Sequence, residues 1–340
     1  MNIPSTVSTS PSATPYTNLT PDTVLDAVDS IGMQTDGRQL ALNSFENRVY
    51  QIWREDGPPV VAKFYRPGRW SDAAILEEHD YSRELAEREI PVVAPLVIDG
   101  RSLFEHAGFR FAVYPRQGGR VPELSRPGTL EWLGRFLGRI HAVGALHPFQ
   151  HRPRLDLDSF GEQPRALLLA GSWLPADLRD IWAGVSAQAL EGVQRCYQRA
   201  GPVSSLRLHG DCHMGNVLWV EEGEAPGPYF VDFDDCRQGP AIQDLWMLLS
   251  GERADRSRQL ADVLAGYEDF RDFDPRELHL IEALRTLRLI LYSAWLASRW
   301  SDPAFPVAFP WFGSQHYWQD RILELREQIA LMDEPPLWST

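Results

Sequence analysis

Three cysteines, a shortage of positive charge and the absence of any long apolar run set the first limits on this 340-residue chain. Cys196, Cys212 and Cys236 form no CxxC pair. So odd and sparse a set excludes a disulfide framework and reads as reduced, buried thiols. Lysine and arginine number 33 against 47 acidic residues, a formal net charge of −14. A nucleic-acid backbone rewards clustered cations, so this balance argues against general nucleic-acid binding and against adhesion to an anionic membrane. It leaves room for a local basic pocket. No apolar stretch approaches the roughly 20 residues of a membrane helix. The most apolar one, 284–296, is interrupted by Arg285, Arg288 and Tyr292 and reads as a buried helix. The N-terminus lacks the basic and apolar regions of a signal peptide. Residues 1–20 are rich in Ser, Thr and Pro and read as a disordered tail. A cytoplasmic protein is expected.

What is present suits two lobes. Apolar residues make up 44% of the chain and charged residues 24%, as in an ordinary globular protein. Residues 21–115 predict a small α+β lobe in the order β-β-β-α-β-β. Its strands are a strand-turn-strand over 40–53, then 59–65, 92–98 and 109–114; its helix spans 71–87 and Pro91 stops it. Gly118-Gly119 marks a linker. Residues 116–340 predict a larger helical lobe. Its helices fall over 129–143, 176–199, 241–249, 257–270, 275–300 and 316–332, with two short β-like runs at 217–221 and 228–232.

The strongest chemical signal is the stretch Leu208 to Leu218, which holds His209-Gly210-Asp211 and Asn216 at a fixed interval between apolar runs. Phosphoryl transfer needs a carboxylate that orients the attacking hydroxyl and accepts its proton. It also needs an oxygen ligand for Mg²⁺, which neutralises charge on the phosphates. Asp211 suits the first task and Asn216 the second. Downstream, Asp232 ends a strand-like run and is followed by Asp234 and Asp235. Alone this would be a solvated acidic turn. Beside the upstream loop it reads as a metal site with Asp232 as ligand, because three crowded acids call for a cation; Asp234 is a candidate for a second metal. A zinc pair of His209 and His213 is disfavoured: Gly210 and Gly215 oppose a helix, and the glutamate of a zinc protease is missing. Asp244 stands near a helix start and reads as structural.

These residues resemble a known family. His209-Gly210-Asp211 with Asn216 looks like the catalytic loop of the aminoglycoside phosphotransferase group, relatives of the protein kinases. Asp232-Phe233-Asp234 stands where protein kinases have Asp-Phe-Gly. A closer likeness is to the bacterial stress response kinase A (RdoA) family. It is carried by Leu42 to Tyr50, Lys63 to Trp70, the catalytic loop and Val231 to Leu249. The resemblance implies a bilobal, protein-kinase-like α+β fold and a monomeric, ATP- and Mg²⁺-dependent serine/threonine protein kinase. It makes Asp211 the proton acceptor, Asn216 and Asp232 the Mg²⁺ ligands, and places Ser44 at the ATP phosphates and Asp244 behind the catalytic loop.

Under that template the other site residues follow. Lys63, on the third strand, would hold the α- and β-phosphates if a helix carboxylate fixes it; Glu78 is the first choice and Glu77 the second. The turn Ser44 to Arg48, with Asn47, contains no glycine. The Ser44 hydroxyl, backbone N–H groups and Arg48 would have to meet the phosphates there. Backbone groups at Val113 and Tyr114 would meet adenine. His213 stands two residues after Asp211, where many protein kinases have a lysine, and could touch phosphate or substrate. Between Asp232 and Asp244 there is no Ser, Thr or Tyr, so an activation loop ordered by phosphorylation has no room and constitutive activity is expected. Small-molecule kinases of aminoglycosides, choline or homoserine share this site and are the main alternative. A nucleotide-binding scaffold would be expected to lack Asp211, Asn216, Asp232 or Lys63, and all four are present. The acceptor would meet the region after Gly251, where Trp295, Trp300, Phe309, Trp311 and Phe312 gather, although such aromatics are more often core.

Overall fold

The structure is a computed structural model describing residues 14–222 and 226–337. In chain order its main elements are α1 (Pro21–Asp29), β1 (Thr35–Ala41), β2 (Arg48–Arg54), β3 (Val60–Phe64), α2 (Asp72–Glu87), β4 (Phe104–His106), β5 (Phe109–Pro115), α3 (Thr129–Gly144), α4 (Gln163–Ala170), α5 (Ala176–Ala200), β6 (Leu206–Leu208), β7 (Val217–Val220), β8 (Gly227–Phe230), β9 (Arg237–Gly239), α6 (Ile242–Trp246), α7 (Arg253–Tyr267), α8 (Ile281–Arg299), α9 (Ala304–Ala308) and α10 (Gln315–Asp333). They form two compact units. One comprises the chain up to Ser71 together with Val97–Arg116 and Arg299–Pro310; the other comprises Asp72–Leu96, Gln117–Ser298 and the chain from Trp311 onward. The break after Arg116 lies one residue from the expected one at 115. The division otherwise differs from a simple N-lobe and C-lobe split, because α2 counts with the helical unit and a late segment, 299–310, counts with the sheet.

The first unit is built on an antiparallel sheet of order β1-β2-β3-β5-β4. Alternation explains its core: Val60, Ala62 and Phe64 of β3 are buried with Ile52, Phe111 and Val113, and Phe64 stacks on Phe111 at 5.3 Å. Lys63 therefore points to the opposite face. Thr20 caps α1 by accepting from the Thr23 N–H, and Pro21 opens the helix. Residues 1–13 of the expected disordered tail lie outside the described residues. The expectation is corrected for Tyr16, whose ring stacks on Phe109 at 6.3 Å and whose hydroxyl donates to the Glu46 carbonyl at 3.1 Å. A single aromatic anchor fixes the chain where composition alone reads as tail.

A strand at 92–98 is not formed. Val92 makes an isolated bridge to Phe230, and Ile98 one to Arg101. Pro91 and Pro95 carry no N–H and cannot sustain a ladder, so β4 at Phe104–His106 takes the place of the expected strand.

The second unit is mostly helical, with two short pairs, β6–β9 and β7–β8. Its central contact is α3 on α7. A Cβ on Gly134 would lie 2.0 Å from the Val263 carbonyl oxygen, and one on Gly266 would lie 1.9 Å from that of Glu131. Glycine at these positions lets the two backbones touch. That contact brings His141 of α3 to Tyr267 of α7, ring nitrogen to hydroxyl, at 3.0 Å. Among the described residues no helix is long and apolar enough to cross a membrane.

Candidate active site

The loop after β6 is held from behind by one carboxylate. Asp244, fully buried on α6, accepts from the His209 N–H and the Gly210 N–H, each at 2.8 Å, and contacts His141 Nε2 at 3.0 Å. Burial opposes its charge, but the hydrogen bond and charge of His141 and the Gly210 N–H outweigh it, and the carboxyl lies below its ordinary range. Asp244 thus braces the catalytic loop, as the resemblance implies. Gly210 has φ +85°, and a Cβ there would meet the Asp235 carbonyl at 2.2 Å; glycine is required both by the conformation and by the space.

His209 sits inside the loop. Its Nε2 contacts the Val231 carbonyl at 2.9 Å, its Nδ1 accepts from the Asp211 N–H at 3.3 Å, and its ring lies 4.5 Å from that of Phe233. These partners assign the proton to Nε2. The imidazole therefore ties the catalytic loop to the strand that leads into Asp232. It is positioned as a strut.

Asp211 follows. Its carbonyl accepts from Asn216 Nδ2 at 2.9 Å, which turns the Asn216 amide oxygen the other way. Its carboxylate is partly exposed and engaged: Arg288 Nη1 of α8 donates to Oδ1 at 2.6 Å, and His213 Nε2 lies 3.6 Å from Oδ2. His213 Nδ1 caps the short 3-10 turn Met214–Asn216 through the Gly215 N–H at 2.9 Å. Arg288 is a residue that sequence reasoning missed as part of the site; it read only as an interruption of an apolar helix. A cation placed two residues from the middle of such a helix was the available signal.

Asp232 is exposed and adopts φ +61°, ψ 66°, a left-handed conformation that costs a non-glycine residue of order 1–3 kcal/mol and that neighbours must enforce. Phe233, buried next to it, supplies the anchor through His209 and an edge contact with Tyr81 at 5.9 Å. Asp235 pairs with Arg237 at 2.7 Å, and Asp234 is buried. Arg152, also missed from sequence, donates to the carbonyls of Cys236 at 2.9 Å and of Asp234. The stretch from Asp232 to Asp244 holds a 3-10 turn, β9 and the start of α6, which leaves no further loop.

On α2 the two candidate carboxylates separate. Glu77 accepts from the backbone N–H groups of Gln150, His151 and Arg152 at 2.5–2.9 Å. It is a bracket for that loop, whereas Glu78 is buried.

In the sheet unit, Lys63 is 6% exposed, opposite Val49 of β2 and Ala112 of β5, with its ammonium 5.2 Å from the Tyr65 ring centroid. It is the single lysine among the 33 basic residues of the chain. A sequence that uses arginine everywhere else keeps lysine here, where a compact ammonium is not interchangeable with a planar guanidinium. The composition alone carries this signal. Val113 is buried opposite Ala62, and Tyr114 joins hydroxyls with Tyr65 at 3.1 Å. In the turn, the Ser44 hydroxyl donates to the Asn47 carbonyl at 3.2 Å. Asn47 Oδ1 accepts from the Arg66 N–H at 3.1 Å, and Arg48 donates to the Phe45 carbonyl at 3.1 Å and lies 4.4 Å from the Tyr16 ring. The Asn47 and Arg48 side chains brace the turn from within, where sequence reading assigned them to nucleotide.

All three thiols are buried, and burial raises each one's pKa, that of Cys236 to about 12. They fit packing, not redox chemistry. The expected aromatic acceptor cluster is divided. Phe309 packs on Phe45 at 5.0 Å within the sheet unit, whereas Trp311 and Phe312 pack on Tyr317 in the helical one.

Residues 38–281 match the sequence profile described as the phosphotransferase enzyme family. The chain belongs to that family. It is a kinase, and the likeness to stress response kinases runs along nearly its whole length. It is 44% identical over 329 residues to stress response kinase A of Escherichia coli (strain K12), covering 97% of this chain and 98% of the relative. It is 43% identical over 325 residues to the serine/threonine protein kinase RdoA of Salmonella typhimurium (strain LT2), covering 96% and 97%. Similar solved structures include amicoumacin kinase hAmiN in complex with AMP-PNP, Ca²⁺ and Ami (TM-score 0.69, 21% identity, 93% of this chain and 95% of that one). Another is a microcompartment-associated aminopropanol kinase (TM-score 0.65, 18% identity, 91% and 96%). These structures establish the α+β family fold expected from the sequence.

Proposed function

We propose that this kinase transfers the γ-phosphate of ATP, with Mg²⁺, to a serine or threonine hydroxyl of a protein, and that it works as a cytoplasmic monomer. The carrying observation is the catalytic loop, in which Asp244 and His209 fix the backbone leading into Asp211 and Asn216 holds its carbonyl. A carboxylate so held can orient an acceptor hydroxyl and take its proton. Asn216 and Asp232 would hold Mg²⁺: the first has its amide oxygen turned away from Asp211, the second is aimed by its left-handed backbone. The metal, when bound, neutralises charge on the phosphates. Lys63 and Glu78 keep the roles that the sequence assigns them, Ser44 and the turn around it meet the phosphates, and the backbone at Val113 and Tyr114 meets adenine. Arg288 holds the Asp211 carboxylate oriented until the acceptor hydroxyl arrives.

A protein acceptor is supported by the full-length relatives at 43–44% identity, one of which is named a serine/threonine protein kinase. The small-molecule kinases stand at 21% identity and below. The test offers labelled ATP and Mg²⁺ with a generic protein acceptor, and in parallel with aminoglycosides and choline. Label in phosphoserine or phosphothreonine is the expected result. Label confined to a small alcohol would overturn the protein acceptor and leave the kinase.

A further inference from the structure

The glycine-free turn Ser44–Arg48 is held by parts of the chain that the family profile does not include. That profile spans 38–281, yet the turn is gripped by Tyr16 on one side and by 299–310 on the other, all within the sheet unit. Three consecutive carbonyls of the turn are engaged. That of Phe45 accepts from Arg48 at 3.1 Å and Arg66 at 3.2 Å, that of Glu46 from Arg66 at 3.0 Å and the Tyr16 hydroxyl at 3.1 Å, and that of Asn47 from Ser44 at 3.2 Å and Arg48 at 3.3 Å. Because a trans peptide is planar, fixing each carbonyl fixes the N–H on its other side.

The guanidiniums are fixed in turn. Asp302, 3% exposed, pairs with Arg66 at 2.8 Å and Arg48 at 3.4 Å. The Glu46 side chain pairs with Arg66 at 3.1 Å, Arg299 at 3.0 Å and Arg69 at 3.6 Å. The Phe45 ring packs on Phe305 at 6.4 Å and Phe309 at 5.0 Å. Isolated surface ion pairs contribute little, but this is a largely buried network closed by aromatic packing, where geometry is over-determined.

We infer that the segment 299–310 is a strap that pre-sets the phosphate-facing turn, with Asp302, Phe305 and Phe309 as positioning residues for the nucleotide. A protein-kinase phosphate loop gains close approach from glycines. Here arginines and a strap pre-organise an ordinary turn, so the ordering cost is met on folding and not on binding. The inference rests on the proposed reading that this turn meets the phosphates.

The test compares ATP and adenosine affinities by calorimetry, KM for ATP against kcat, and thermal stability in the full-length protein. It uses Asp302→Asn, Phe309→Ala and Ser44→Asp. Ser44→Asp places a carboxylate in the turn and checks the underlying reading. If it leaves ATP affinity unchanged, the turn is not at the phosphates and both ideas fall. If it weakens ATP, Asp302→Asn and Phe309→Ala are expected to lower ATP affinity by roughly tenfold, the equivalent of about 1.4 kcal/mol. KM should rise more than kcat falls, and adenosine affinity should stay unchanged. Lower melting temperature with an unaltered ratio of ATP to adenosine affinity would make the strap merely structural and overturn the inference alone.

Discussion

At the scale of single residues, Arg288 and Lys63 carry consequences that the sequence motif does not. Arg288 donates to the carboxylate of Asp211 at 2.6 Å. If it orients the base, Arg288→Ala should lower kcat by about 10- to 100-fold, less than loss of the base itself, with nucleotide affinity unchanged. Steady-state kinetics with nucleotide titration checks this, and an unaltered kcat would reduce the pair to a surface contact. Lys63 can be marked chemically, since the chain offers a single lysine. An ATP acyl-phosphate probe, which acylates amines beside bound phosphates, should label the peptide containing Lys63, and excess ATP should protect it. Labelling of the α-amino group alone would remove Lys63 from the nucleotide site. Asp244 yields a prediction with a sign. Its carboxyl is held below the ordinary 3.8, so its ionised form stabilises the fold above that value and the contribution disappears as pH falls through the lower folded value. Asp244→Asn should cost about 1–3 kcal/mol at pH 7, because two N–H donors then face an amide. The gap from wild type should narrow below about pH 4. Denaturant melts across pH would show a constant gap if the carboxylate were not ionised.

Elements, unlike residues, depend on what sequence periodicity cannot see. The longer helices and most strands were legible because apolar spacing and β-branched runs report one buried face, whereas the short helices α1, α4 and α9 were not. The strand at 92–98 failed because Val92, Val93, Val97 and Ile98 have the right side chains while Pro91 and Pro95 remove the ladder's donors. The α3–α7 contact was invisible for a related reason. Its agents are glycines, which pattern analysis counts as weak helix formers when their role is closeness. Gly266→Ala puts a methyl 1.9 Å from the Glu131 carbonyl. It should cost about 1–3 kcal/mol by overpacking and should also lower activity, since the same contact sets Tyr267 against His141, which in turn bonds Asp244. A chemical melt alongside a transfer assay would read both, and an intact melt would show that the helices part without penalty.

For the whole molecule, the chemistry was legible and the scaffolding was not. Asp211, Asn216 and Asp232 announce themselves because phosphoryl transfer restricts both residue type and interval. Arg288, Arg152, Tyr16 and Asp302 lie far along the chain from what they touch, and any of them could have been a solvated or packed side chain. The Ser44–Arg48 turn shows the difference. Its position leads to the proposal of a phosphate contact, while the structure places its Asn47 and Arg48 side chains in bonds within the frame behind it. The account stands or falls on Asp211 as the proton acceptor within a loop built by Asp244 and His209. The direct test is single-turnover transfer from labelled ATP to a protein acceptor by wild type and by Asp211→Asn, with nucleotide affinity measured on both. Transfer reduced by about 10²- to 10⁴-fold with affinity retained is the predicted result. Wild-type transfer by Asp211→Asn would contradict it.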